Sequence, residues 1–369
     1  MTLHIPRHLN HRRVLRLAAL AVVVLLAASG AGGLLASGGM TMDKGVVFFA
    51  PVTSESWHGT LSSSVRVTGT EVFLMWSDIE AVEGVYDWSD IDRIRDRYAA
   101  QGKKIVFRVS TAAFSPNDSP AWLYNRYHVR RITYGSFLGF EKGSGGLSAA
   151  DGSAYQLLSG GTVVREAAKV LSGSASLEMA GGDGIDSGSS PLDLQNGVSV
   201  GLDFKAVSSG RLVVDLRRSD GTRVSLQSWT LSAGDRGSRV FDIPAASLRT
   251  GDKVVFSAPE GRFLLDNLDI SSNRAGFHVG NLCFPNYFDP VFRDRFGRFI
   301  EALAAKYGDD PHVAAVNIGG YGRWEELTLS GDGDPQGLAE QWTTFAGTAD
   351  RTLFSQKYVE HVKWVVDAF

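Results

Sequence analysis

The sequence predicts an α/β fold with a parallel sheet, interrupted by an all-β module. Three observations support this prediction: strand-like and helix-like segments alternate over residues 45–134, short strands of period-two hydrophobicity fill residues 137–272, and the alternation of strand and helix resumes over residues 277–369. Alternation at this spacing places helices outside a parallel sheet. A chain of 369 residues is long enough for two domains.

The first 31 residues are predicted to direct export. Four arginines between residues 7 and 16 precede an apolar run over residues 17–28 and a zone of small residues at 29–31. This order is typical of a secretory signal peptide. The uncharged stretch continues to residue 42, which is long enough to span a bilayer. The segment is therefore either a cleaved signal or an N-terminal membrane anchor, and we expect a secreted, periplasmic or envelope-anchored protein.

Charge and cysteine content argue against several functional classes. The chain holds 37 basic and 40 acidic residues, and four of the basic residues lie in the first 31 positions. The remainder is acidic and has no basic run, which disfavours a nucleic-acid partner. The single cysteine, Cys283, allows no intramolecular disulfide, and we interpret it as a packed thiol. No metal-ligand spacing is present, so no catalytic metal or other cofactor is expected.

Periodicity places the elements of the α/β part. Strands are predicted at residues 45–52, 71–76 and 105–109, with a helix from Ser89 or Asp90 to Gly102. After residue 277, Asp289 and Pro290 begin a second helix. Its apolar positions recur at helical spacing, at Phe292, Phe296, Phe299, Ile300, Leu303 and Ala304. A fourth strand is predicted at residues 313–318.

Two motifs in this part resemble clan A glycoside hydrolases, which include the family 42 β-galactosidases. The first resembles their second βα unit, continues through the strand at residues 103–109 and consists of Trp76, Glu80, Gly84, Tyr86 and Trp88. The usual proline after the glutamate is Ala81 here. The second, from residue 285 to 326, is similar to their fourth βα unit. The resemblance implies a (β/α)8 TIM barrel that hydrolyses glycosidic bonds.

The resemblance also implies catalytic residues. In these families the acid/base glutamate follows strand four, which corresponds to Glu326. Glu325 stands where the family has glycine, so the choice between Glu325 and Glu326 stays open. A retaining glycosidase needs two carboxyl groups about 5–5.5 Å apart. Adjacent residues of an extended strand point to opposite faces, so these two cannot form that pair. The alternative is an acidic surface turn paired with Arg323.

Aromatic and basic residues near the predicted strand ends are candidates for the sugar subsite. They are Trp76, Arg108, Tyr321, Arg323 and Trp324. For Arg108, the alternative is that it neutralises a buried carboxylate. The family's nucleophile follows strand seven, whereas the sequence accounts for about four βα units. We therefore expect a truncated barrel that lacks the nucleophile and is an inactive fragment.

Residues 137–272 are predicted to form an inserted β-sandwich, because short alternating strands recur at about ten-residue spacing. The opening LGFEKGSGG and the closing FLLDNLDIS resemble jelly-roll carbohydrate-binding modules. This resemblance implies a structural calcium, with Glu141, Asp266 and Asn267 as candidate oxygen ligands. Whether the sandwich binds glycan or acts as a spacer stays open.

Two functions follow from these features. The first is an exported retaining glycoside hydrolase whose substrate is a poly- or oligosaccharide, with Glu326 as general acid/base. The second is a non-catalytic polysaccharide-binding or cell-envelope protein on a degenerate glycosidase scaffold. Contact with a membrane is expected only through an uncleaved N-terminal segment. The sequence specifies neither the sugar nor the oligomeric state.

Overall fold

The computed structural model describes residues 46–52, 55–112, 118–133, 135–142, 144–273, 283–317, 338–348 and 350–368. The predicted signal or anchor segment, residues 1–31, lies outside the described residues. Within the described ranges, no helix is both long and apolar enough to cross a membrane.

Strands and helices alternate at both ends of the described chain, and strands dominate its middle. In chain order the strands are β1 (Val46–Pro51), β2 (Val67–Met75), β3 (Lys104–Ser110), β4 (Arg131–Thr133), β5 (Gly135–Leu138), β6 (Gln156–Ser159), β7 (Thr162–Val164), β8 (Ser176–Met179), β9 (Asp183–Asp186), β10 (Val198–Arg217), β11 (Arg223–Leu231), β12 (Arg236–Ile243), β13 (Lys253–Ser272), β14 (Cys283–Pro285) and β15 (Val313–Asn317). The α-helices are α1 (Glu55–Ser63), α2 (Trp76–Ile79), α3 (Ser89–Ala99), α4 (Ala121–Asn125), α5 (Pro290–Tyr307), α6 (Leu338–Phe345) and α7 (Arg351–Ala368).

The α/β region is a four-stranded parallel sheet of order β1-β2-β3-β15. Helices α3 and α5 bury their apolar faces in the same core as one face of this sheet. The predicted start of α5 is confirmed: the Asp289 side chain accepts a hydrogen bond from the Val291 N–H at 2.7 Å, and a proline occupies the first turn. The predicted apolar face of α5 is buried at Phe292, Phe296, Phe299, Ile300 and Leu303.

The middle of the chain forms a β-sandwich built around two strands of 20 residues, β10 and β13. These strands pair antiparallel from Val198–Ser272 at one end to Arg217–Lys253 at the other. The ladder belongs to a nine-stranded sheet system that also holds β5 to β9, β11 and β12. Every second residue of these strands points inward, and the residues that do so are largely aliphatic.

The prediction of an α/β chain dominated by a (β/α)8 barrel is wrong. In the described residues strand exceeds helix, and the largest sheet is antiparallel rather than parallel. The described parallel sheet has four strands and is open, with β1 and β15 at its edges. A barrel requires a continuous hydrogen-bonded ring with a fixed shear, which local strand–helix alternation does not specify. The alternation predicted the parallel strands correctly, whereas the (β/α)8 barrel that the family resemblance implied is wrong for the described residues.

Two adjacent arginines join the sandwich to the α/β region. Arg130 is almost fully buried, and its guanidinium donates to the Asn267 carbonyl and pairs with Asp203 and Asp269 of the sandwich. Arg131 donates to the Ser199 hydroxyl and to Asp242, each at 2.8 Å. Buried charges are stable only when paired and hydrogen-bonded, so these contacts hold the two regions in one arrangement.

Candidate functional site

Most of the predicted catalytic site lies outside the described residues. This applies to Tyr321, Arg323, Trp324, Glu325 and Glu326. The strand that precedes them is described: β15 pairs with β3 in parallel, and Asn317 is the register partner of Arg108. The predicted catalytic segment therefore begins just after the carboxyl end of a parallel strand, which is where α/β proteins carry functional residues.

Trp76 lies at the carboxyl end of β2 and is fully buried. It follows Val72 and Leu74 on the sheet face that packs against helices. Its ring centroid is 5.1 Å from that of Phe296 and 5.7 Å from that of Trp122. This packing gives Trp76 a structural role in the described geometry, and its contact with a sugar stays a prediction.

Glu80 stabilises the loop after β2 through three hydrogen bonds. Its carboxylate accepts hydrogen bonds from the Trp76 indole at 2.7 Å and from the Gly84 N–H at 2.8 Å, and its carbonyl accepts one from the Trp122 indole at 2.9 Å. Gly84 has a φ of 75°, which glycine adopts without strain. Burial raises the pKa of Glu80, and the hydrogen bonds from Gly84 and Trp76 oppose that effect. The motif W-x-x-x-E-x-x-x-G thus builds one hydrogen-bonded turn.

Arg108 lies on the opposite face of the sheet from Trp76. Its Nε donates to the Glu71 carboxylate of β2, and both side chains are about one-fifth exposed, at 18% and 19%. The pair agrees with the alternative that Arg108 neutralises a carboxylate of the sheet. It also places a largely buried cation near the end of β15, where a substrate contact stays a prediction.

The carboxylate of Glu83 collects three donors beside this turn. It pairs with Arg126 at 2.6 Å and with Arg295 at 3.1 Å, and it accepts from the Tyr127 hydroxyl at 2.7 Å. These partners come from segments far apart in sequence, so periodicity could not reveal the cluster. It links the β2 loop to α5 and therefore stabilises the loop that carries the motif.

The three calcium candidates lie around one short segment of the sandwich, Ser172–Ser174. Asp266 accepts hydrogen bonds from the N–H and hydroxyl of Ser172, the hydroxyl of Ser176 and the N–H of Asn267. Glu141 accepts from the N–H and hydroxyl of Ser174. Burial raises the pKa of Asp266 to about 7, in spite of its hydrogen-bond donors.

These contacts do not suit calcium. The carboxylate oxygens of Asp266 and Glu141 already accept hydrogen bonds from serine and backbone donors. The Asn267 side-chain nitrogen donates to Ser172 and Asp203. Calcium needs six to eight oxygen ligands that converge on one point. Among the residues that the structure describes, no three His, Cys, Asp or Glu side chains converge in this way. The structural calcium stays a prediction that this arrangement does not favour.

Comparison with known families identifies the first motif. The glycoside hydrolase family 42 model, described as β-galactosidase, matches residues 61–131. The match includes Trp76, Glu80, Gly84, Tyr86 and Trp88. This segment of the chain is therefore related to glycoside hydrolases, as the sequence motif predicted. No curated protein matches the chain.

Solved structures give weaker similarities. The C-terminal family 22 carbohydrate-binding module of Clostridium thermocellum Xyn10B shares 16% identity over 40% of this chain and 97% of its own, with a TM-score of 0.30. The arabinose-bound α-L-arabinofuranosidase MgGH51 shares 16% identity over 37% of this chain and 26% of its own, with a TM-score of 0.30. TmCBM61 in complex with β-1,4-galactotriose shares 13% identity over 38% and 98%, with a TM-score of 0.27. These scores are too low to establish a shared fold.

Proposed function

We propose that the protein is an exported carbohydrate-active protein that hydrolyses O-glycosyl bonds in poly- or oligosaccharides. The β-galactosidase family match over residues 61–131 carries this proposal. It is supported by the structure of the matched motif, in which Glu80 joins Trp76, Gly84 and Trp122 at the carboxyl end of β2. The leader of residues 1–31 supports export, as a signal peptide or an anchor.

In the proposed mechanism, Glu326 acts as the general acid/base of a retaining glycosidase. It protonates the glycosidic oxygen as the leaving group departs and later removes a proton from the attacking water. The neighbouring carboxylate of Glu325 would favour the protonated form of Glu326 through like-charge repulsion, as a general acid requires. A second carboxylate must act as nucleophile, and this chain's sequence does not identify it.

Kinetics of Glu326→Gln on a panel of nitrophenyl glycosides test the proposal, with Glu325→Gln as the matched control, both made in a protein that also supplies the nucleophile. General acid/base catalysis contributes roughly 10²–10⁴-fold, so we expect kcat to fall by about that factor in Glu326→Gln. The loss should be smaller with a dinitrophenyl leaving group, which needs less protonation. Equal activity of Glu326→Gln and the wild type on every hydrolysed substrate would refute the assignment.

The substitution of glutamate at position 325, where the family has glycine, favours a second candidate. In that case the protein binds polysaccharide without turnover. Affinity gel electrophoresis run beside the hydrolysis assay separates the two functions. Retardation by a glycan combined with no cleavage of any substrate in the panel supports the binding protein, whereas cleavage of any of these substrates supports the glycosidase.

A further inference from the structure

A polar groove crosses the outer face of the sandwich, where β10 lies between β11 and β13. Its volume is about 310 Å³, within the range of ligand sites. Val213 and Asp215 of β10 form its floor. In the sheet register Val213 is flanked by Ser228 and Ser257, and Asp215 by Ser225. Alternate residues share one face of a strand, and the register shift between Val214 and Asp215 brings both Ser225 and Ser228 onto that face. These side chains therefore all point away from the sandwich core.

One arginine stands at each end of the groove. Arg211 precedes Val213 by two residues on β10, and Arg223 precedes Ser225 by two residues on β11. Arg223 is the register partner of Arg217, six residues beyond Arg211. At about 3.3 Å per residue the two arginine backbones are separated by roughly 20 Å along the strand. The groove therefore suits an extended chain rather than a compact molecule.

These two arginines have unused hydrogen-bonding capacity. The closest acidic atoms are 3.5 Å from Arg211, on Glu260, and 3.7 Å from Arg223, on Asp215, both beyond ordinary hydrogen-bond length. In the described part of the chain, neither guanidinium donates a hydrogen bond, and the hydroxyls of Ser225, Ser228 and Ser257 have no partner. Arg217 on the same face differs, because it makes a close pair with the fully buried Asp186.

The groove also lacks the aromatic platform on which neutral sugars usually stack, since its lining contains no aromatic residue. Its lining carries two guanidinium cations and one carboxylate, that of Asp215. A guanidinium presents a planar fork that matches a carboxylate in a bidentate hydrogen bond. Glu260, whose side chain is 70% exposed, is free to leave Arg211 when a stronger acceptor arrives.

We propose that this groove binds a linear polysaccharide containing uronic acid residues, with sugar carboxylates on Arg211 and Arg223 and sugar hydroxyls on the three serines. The inference deepens the proposed carbohydrate function, because it names the ligand class of the sandwich. Its test measures binding and not hydrolysis, so failure here leaves the result of Glu326→Gln unaffected.

The experiment is affinity electrophoresis of the full chain in gels containing polygalacturonate, alginate or hyaluronan. Each polymer is compared with the same polymer after its carboxyl groups have been reduced to alcohols. We expect at least one acidic polymer to retard the wild type. The apparent affinity for its reduced form should be at least about tenfold lower, and added salt should weaken binding to the acidic form. No retardation by any acidic polymer, or equal retardation by the reduced form, would overturn the proposal.

Variants locate the site. Arg211→Gln and Arg223→Gln should each weaken binding about tenfold, and Arg211→Lys should only partly restore it because lysine lacks the planar fork. Arg236→Gln is the matched control, an exposed arginine of β12 outside the groove. The assignment would be contradicted if the acidic polymer retarded the double variant Arg211→Gln/Arg223→Gln as strongly as the wild type. It would also be contradicted if Arg236→Gln lost as much affinity for the polymer as Arg211→Gln. The comparison of native with reduced polymer uses only the wild type, so it decides the ligand class even if a variant misfolds.

Discussion

The α/β region and the sandwich use strands in opposite ways. In the α/β region, helices cover one face of the sheet with aromatic side chains such as Phe296 and Trp76, and the predicted catalytic residues follow the strand ends. In the sandwich, strand faces themselves carry the polar groups, as at Arg211 and Ser257. The proposed function of the first region therefore depends on loops, whereas that of the second depends on strand register.

Ionic groups differ between the regions as well. The junction between them uses buried charges, with Arg130 2% exposed against Asp269. The groove uses exposed arginines whose acidic neighbours lie beyond hydrogen-bond distance. Buried pairs fix one geometry, whereas exposed charges are free to bind another molecule. Charge therefore stabilises the arrangement at the junction and is available for recognition at the groove.

Removing the junction arginine should have the largest effect. Arg130→Ala leaves Asp269 and Asp203 without their cation, and breaking a buried pair in this way costs about 3–5 kcal/mol. We expect urea unfolding to show this loss in the free energy of unfolding. Arg126→Ala is the control, since Arg126 is exposed and paired with Glu83; its loss should stay below about 1 kcal/mol. Equal losses in the two variants would mean that the junction does not couple the regions.

Substitution of Asp193, in the sandwich, should have a smaller and pH-dependent effect on the free energy of unfolding. Partial burial raises its pKa, but donors from Ser272, Asn196 and Gln195 outweigh this and lower the pKa to about 2. Stabilisation by the charged form is therefore complete above the unfolded pKa of 3.8 and is lost as pH falls through about 2. After allowance for solvent screening, Asp193→Asn should cost about 1 kcal/mol at pH 7.

Thermal unfolding of the wild type and Asp193→Asn between pH 7 and pH 2.5 measures this effect. The difference between them should be constant down to about pH 4 and then shrink. Asp220→Asn is a useful comparison, because Asp220 accepts hydrogen bonds only within its own exposed turn, from Thr222. A pH-independent difference for Asp193→Asn would show that its charge plays no part.

Calcium should have the smallest effect. Hydrogen bonds from Ser172 and Ser174 occupy the oxygens that a cation would need on Asp266 and Glu141. We expect 1 mM calcium, added after EDTA treatment, to change Tm by less than about 1 °C. If a specific site existed and calcium were present at 100 times its Kd, binding would add about 2.7 kcal/mol to the free energy of unfolding. That gain corresponds to a rise in Tm of roughly 5–10 °C. An increase of that size would establish the calcium site that the sequence resemblance implies.

Local features of the fold were predictable from the sequence, and long-range features were not. The four parallel strands and helix α5 have strong periodicity, and the structure places them within a few residues of their predicted positions. The alternating strands of the sandwich were predictable for the same reason. Barrel closure depends on hydrogen bonds between distant strands, which periodicity does not encode.

The candidate sites show the same limit. Trp76 was placed near a strand end, but its packing against Phe296 depends on a helix more than 200 residues later. The ion pair of Arg130 with Asp269 joins segments 139 residues apart. In contrast, the sequence shows that Arg211, Asp215 and Arg217 alternate along β10. Only the pairing of β10 with β11 and β13 shows that this face of the strand carries a groove.

The length of β10 and β13 has a mechanical consequence. Each strand runs from the junction, at Asp203 and Asp269, to the groove, at Arg211 and Ser257, and their shared ladder shifts register three times between Asp203 and Val213. Tension applied to a glycan in the groove would act along these strands and shear many ladder hydrogen bonds at once instead of opening them one by one. A load on a polymer bound at the proposed groove would therefore reach the α/β region through the β10–β13 ladder and the Arg130 contacts.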